Sequence, residues 1–158
     1  MPAKTVIWGL GNELLGDDAV GLEIIRRLAK TAPATWALIE CGTVPENYLS
    51  TIPKKIGGRL IVIDAADMGI NAGDIRLATL EDADDVNFAT HGLPLPLLLG
   101  PHAASTEIIL IGIQPLDLRP GNGLTPAVER AVDAVAKAIL EGSWRQFPRL
   151  HQEKRSPR

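Results

Sequence analysis

Apolar and polar positions along the chain alternate between two regular patterns, one of strands and one of helices. Apolar runs predict a buried strand at Thr5 to Leu10 and a last strand at Glu107 to Ile113, and the unbroken β-branched run Leu60 to Ile63 predicts a strand covered on both faces, as in parallel sheets. Trp36 to Ile39 reads as a further short buried strand, after Pro33 has broken the preceding pattern. Helical spacing at Gly21, Ile24, Ile25 and Leu28 predicts a helix over Ala19 to Lys30. Val128, Val132, Val135 and Ile139 form the apolar stripe of a last helix, opened by Thr125 as a cap and Pro126 in its first turn. Pro45 to Ile52 fits a short helix stopped by Pro53, while Gly57-Gly58 and Asn71 to Asp74 read as turns. Ile75, Leu77 and Thr79 alternate with Asp74, Arg76 and Ala78, the mark of a half-exposed antiparallel edge strand.

Strands alternating with helices predict a three-layer α/β/α sandwich with a mostly parallel sheet. Residues 1–142 read as one domain. From Gly142 the pattern is lost, and 143–158 form a basic tail, expected to be mobile or an interaction arm.

The stretch Trp8-Gly-Leu-Gly-Asn-Glu-Leu-Leu-Gly-Asp-Asp-Ala-Val-Gly21 joins the first strand to the first helix. Gly9, Gly11 and Gly16 are expected to supply turn geometries that a side chain would obstruct. Their spacing is wrong for the G-x-G-x-x-G dinucleotide fingerprint, and no Gly-Lys-Ser/Thr follows to make a phosphate loop. Asp17 and Asp18 at the helix entrance would repel a phosphate in any case. An acid there is ordinarily a cap. With two adjacent acids, one can cap while the other projects beyond the carboxyl end of the strand, where open α/β sheets place ligands. The turn reads as one built for a cation.

Two further positions join this picture. The strand at Leu60 to Ile63 ends in Asp64, and a carboxylate on a doubly buried strand is costly unless hydrogen-bonded or placed on a metal. Asp67, further out, reads as a turn residue, and Glu81 to Asp85 as a solvated acidic surface. His91 lies between a polar loop and the apolar segment Leu93 to Gly100, and either a packed histidine or a ligand fits that place. Asp18, Asp64 and His91 together make a mixed oxygen and nitrogen set suited to nickel, zinc, iron or manganese. Three protein ligands leave coordination positions open. Close carboxylates repel, and a dication removes that conflict.

Composition narrows the partners. The net charge of −3 offers nothing to nucleic acid or an anionic membrane. Cys41 is the single cysteine, so no internal disulfide can form. No apolar run reaches membrane-spanning length and no signal-peptide pattern precedes the first strand, so a cytoplasmic protein without membrane insertion is expected.

The residues Gly9-x-Gly11-Asn12-x-Leu14-x-x-Asp17-Asp18-x-x-Gly21, Asp64-Ala65 and Thr90-His91 resemble those of the hydrogenase maturation endopeptidases, which remove a C-terminal extension from the large subunit of nickel–iron hydrogenases. The likeness runs from about Thr5 to Ile139. It takes in Pro45-Glu-Asn47, Asp64-Ala-Ala-Asp-Met-Gly69 and Gly112-Ile-Gln-Pro115, segments like those of the branch serving formate-hydrogenlyase-type hydrogenases. The resemblance implies a five-stranded, mostly parallel sheet with one antiparallel strand, phosphorylase/hydrolase-like, in accord with the alternation after Asp74. It implies that Asp18, Asp64 and His91 are the metal-site and catalytic residues, with Asp18 standing where some members have Glu. Glu40-Cys41-Gly42-Thr43 departs from the Asp-Gly-Gly-Thr often found after the second strand. It further implies that nickel is supplied by the large-subunit precursor, other divalent ions being able to occupy the site, and that the apolar segment after His91 lines either the core or the peptide cleft. A monomer is expected. Two rival readings remain at this point: a non-catalytic nickel-binding scaffold in hydrogenase assembly, and peptidyl-tRNA hydrolase, which also opens on Gly-Leu-Gly-Asn but needs an early histidine where Asp17-Asp18 stands.

Overall fold

A computed structural model describes residues 4–85, 87–88 and 94–150. The central sheet has the order β2-β1-β3-β6-β4, formed by β1 (Thr5–Leu10), β2 (Ala37–Gly42), β3 (Arg59–Asp67), β4 (Ile75–Ala78) and β6 (Glu107–Ile113). β1 pairs in parallel with β2 and β3, β3 in parallel with β6, and β4 runs antiparallel to β6. The two-residue β5 (Asn87–Phe88) pairs antiparallel with the end of β3. The five-stranded mixed sheet with one antiparallel strand agrees with the expectation, and so does the adjacency of β1 and β3.

Period two divides the strand side chains between two cores. On one face Ile7, Ile61, Ile63, Ile109 and Ile111 meet α1 (Val20–Leu28) and α3 (Pro126–Glu141), two amphipathic helices that also pack on each other. The approach of α1 depends on glycine. A Cβ on Gly21 would lie 2.3 Å from the Leu10 carbonyl oxygen and 2.4 Å from that of Ile63, distances no real Cβ tolerates. Gly9, its counterpart, is therefore a strand residue that lets the helix close in rather than a turn former.

On the other face Val6, Trp8, Leu60, Val62 and Leu110 are covered by short pieces. These are the 3-10 turn Pro45–Thr51 with the following Ile52, the five-residue α2 (Leu95–Leu99), and Leu150. The indole Nε1 of Trp8 donates to Thr51 Oγ1 at 2.9 Å and fixes the 3-10 turn on β1.

Several local expectations are corrected. β2 is longer than Trp36 to Ile39 and runs through Cys41 to Gly42, as a half-buried edge rather than a buried strand. β3 continues past Asp64 to Asp67, because pairing with β6 extends to Ala65 and with β5 to Asp67. Arg76 of β4 is buried rather than solvent-facing. Asp82 is buried too, its Oδ2 accepting from Thr79 N while its own N–H donates to Thr79 Oγ1, so the acidic patch is in part a cap. Residues 143–150 are packed against the body: Trp144 is buried and the Leu77 N–H donates to the Pro148 carbonyl, covering the edge of β4. The rest of the basic segment, 151–158, lies outside the described residues.

Candidate active site at the carboxyl rim

One acid lies in the turn beyond the end of β1, the other toward the carboxyl end of β3. Asp18 sits in the 3-10 turn Gly16–Ala19, which precedes α1 and lies against β3. Asp64 follows Ile63, the residue in register with Gly9 of β1, and pairs across β3 and β6 with Gly112. Both are buried, Asp18 at 2% and Asp64 at 0% exposure. These are carboxylates withdrawn from water at a sheet edge, the placement their cost predicts for hydrogen-bonded or ion-holding groups. Asn12 N–H donates to Asp18 Oδ2 at 2.9 Å and orients it. Gly11 makes this turn possible, since a Cβ there would stand 2.0 Å from the Asp18 carbonyl oxygen.

His91, the third candidate, lies outside the described residues, as does Thr90. Among the described residues no three His, Cys, Asp or Glu side chains group closely enough to hold an ion. The segment after His91 is α2, with Leu95 and Leu99 buried and Leu97 exposed.

The cap expected from the adjacent acids takes another form. The N-cap positions of the turn and of α1 fall on Leu15 and Ala19 rather than on either acid, and neither makes a side-chain cap. Asp17, fully buried, instead accepts from Leu116 N, Asp117 N, Thr125 N and Thr125 Oγ1, in the loop between β6 and α3. Thr125 holds the N-cap position of α3, yet its hydroxyl is spent on Asp17 rather than on its own helix. Partners about a hundred positions away leave no local signal, so sequence reasoning missed this role.

Beside the rim is an open cleft of about 340 Å³ bordered by Asn12, Glu13, Arg26, Glu40 and Thr43. Arg26 bridges Glu40, Glu13 and Glu23 at 2.8–3.0 Å. Hydrogen bonds to Glu40 first, then Glu13, hold its guanidinium above its ordinary, already very high value. Glu40, the acid of the divergent loop, is thus engaged in an ion pair. Cys41 beside it is buried, and burial pushes its thiol up to about 12. A thiol in that state is no nucleophile.

A family model described as hydrogenase maturation protease matches residues 22–142. The chain belongs to the hydrogenase maturation protease family. It is 33% identical over 139 residues to the hydrogenase 3 maturation protease of Escherichia coli K12, covering 87% of this chain and 88% of that protein. Among solved structures, a crystal structure of a hydrogenase 3 maturation protease superposes with a TM-score of 0.81 at 30% identity, covering 94% of this chain and 97% of the other. The solution structure of the endopeptidase HycI from Escherichia coli gives 0.79 at 32% identity, over 92% and 96%. Membership in the maturation protease family makes the chain a hydrolase of the endopeptidase kind, and the peptidyl-tRNA hydrolase alternative falls with it. Among the described residues no helix is long and apolar enough to cross a membrane.

Proposed function

We propose that this endopeptidase removes the C-terminal extension of a nickel–iron hydrogenase large-subunit precursor after nickel insertion, and that it recognises the nickel through Asp18, Asp64 and His91. The observation that supports this most is the burial of two acids from separate segments at one sheet rim, in a chain of the maturation protease family. Carboxylate oxygens suit a divalent ion. The Asn12 N–H behind Asp18 is the kind of hydrogen bond that fixes a ligand's direction. Nickel arrives here as part of the substrate. An open, weak site suits that task, because a protease that held its own ion tightly could not sense whether the precursor is loaded. The ion docks the precursor, and a bound ion can also polarise the scissile carbonyl or a water. Cys41 takes no part, since its thiol stays protonated. The protein works as a cytoplasmic monomer without nucleic acid as partner.

The test is a cleavage assay on purified precursor with and without nickel. Shortening of the loaded large subunit alone supports the reading. Tight binding of the loaded precursor without cleavage makes the chain a scaffold, and equal cleavage of both forms removes nickel from recognition.

A further inference from the structure

Asp17 stands next to a proposed ligand and is more heavily hydrogen-bonded than its exposed-loop neighbours require. Its Oδ2 accepts from Leu116 N at 2.9 Å, Asp117 N at 3.0 Å and Thr125 Oγ1 at 2.8 Å, and its Oδ1 accepts from Thr125 N at 2.7 Å. Its own N–H donates to the Asp117 carbonyl at 2.8 Å, and Gly121 N–H donates to the Leu14 carbonyl at 3.2 Å. The segment after β6 is therefore laced to Leu14, just before the Gly16–Ala19 turn, and to Asp17 within it, next to Asp18.

From this lacing we infer that Asp17 is a positioning residue: it holds the turn in the one setting that presents Asp18 to Asn12 and to the end of β3. The inference rests on the reading of Asp18 as a substrate-recognising carboxylate. Chemistry makes the site specific for a carboxylate. All four partners donate, so the group between them must accept on both oxygens. An amide of the same shape would turn its NH₂ toward at least one N–H or O–H donor. The nearest such clash is at Thr125 N, 2.7 Å from Oδ1. The turn lacks any side-chain cap of its own, so these bonds are its lateral anchor.

The experiment compares Asp17→Asn, the milder Thr125→Val, and Val135→Ala in the core of α3 as a control for lost stability. Precursor cleavage is measured well below each melting temperature, together with the amide spectrum of labelled protein. In Asp17→Asn the turnover number is expected to fall at least tenfold, and the Asn12 amide signal, downfield through its bond to Asp18, to shift upfield. Thr125→Val should show the same two changes at smaller amplitude. Val135→Ala should lose melting temperature with neither change. Normal turnover in folded Asp17→Asn, or loss of turnover with the Asn12 signal unmoved, overturns the positioning role. If Asp17→Asn does not fold, Thr125→Val decides by the same two readouts. Normal cleavage by Asp18→Asn instead overturns the reading on which the inference rests, so the two failures are told apart.

Discussion

The two faces of the sheet are built by different means. One is closed by α1 and α3, which satisfy their own backbone hydrogen bonds and each present a continuous apolar stripe. The other is a patchwork of a 3-10 turn, a five-residue helix and the segment ending at Leu150. Pieces that short are not stable helices by themselves and are held by tertiary contact. By period two, Asp64 shares the patchwork side with Leu60 and Val62. Asp64 thus lies on the face whose cover depends on tertiary contact, and the proposed site adjoins that thinner face.

The largest expected effect comes from the acids at the rim. Asp64→Asn, Asp18→Asn and His91→Ala should each reduce processing of the nickel-loaded precursor to below about a hundredth of wild type, within the range for losing a group that handles a proton or ion. Near-isosteric Asp→Asn exchange should leave far-ultraviolet circular dichroism unchanged. Normal processing by either Asp variant would break the assignment of chemistry to this rim.

Paired truncations test the two faces against each other. Leu28→Ala empties a fully buried position at the end of α1, and Leu99→Ala does so at the end of α2. Each should cost about 2–5 kcal/mol in denaturant unfolding. Only Leu99→Ala, on the segment that follows His91, should also slow processing at temperatures where both proteins are folded. Equal processing by the two variants would show that the faces do not differ in this respect.

Legibility in the sequence follows the same division. β3 and β6 are readable as unbroken apolar runs, α1 and α3 by their helical periodicity, and β4 because its apolar and polar residue types alternate. Asp18 and Asp64 stand out as carboxylates set against apolar runs. The docking of Trp144 and Pro148 on β4 is illegible, since an aperiodic stretch does not announce its contacts. Asp17's partners lie 99 to 108 positions away, and local patterning carries no information at that range. The extension of β2 through Cys41 and Gly42 is set by pairing with β1, which overrides the weak strand preference of glycine.

A smaller effect lies where the C-terminal segment meets the sheet. Arg145 and Arg59 both pair with Glu107, and their guanidinium groups lie 4.3 and 5.5 Å from the centre of the Trp144 ring. The Arg145 hydrogen bonds, then those of Arg59, hold the Glu107 carboxyl below its ordinary 4.5. A carboxyl lowered on folding adds stability above its unfolded value and loses it as pH falls through the folded one. The pairs are partly exposed, so Glu107→Gln should cost no more than about 1 kcal/mol at pH 7. In thermal unfolding at a series of pH values, the gap to wild type should narrow steadily below pH 4.5. A gap that stays constant across acid pH would mean that packing, not charge, holds this segment.

The smallest effect is expected at Cys41, and it bears on the chemistry assigned to the rim. Cys41 is one residue from Gly42, whose carbonyl accepts the Gly11 N–H at 2.9 Å, so the thiol lies close to the turn of the motif. Proximity alone would make it a candidate nucleophile. Burial argues the other way: a thiol at about 12 is ionised in only about one molecule in ten thousand at pH 8. The native protein should therefore resist iodoacetamide at pH 8, gain one adduct only after unfolding, and process precursor normally after the treatment. Cys41→Ala, which removes a small buried group, should keep processing within about twofold. Rapid alkylation of the folded protein with parallel loss of cleavage would move the chemistry from the two acids to this sulfur.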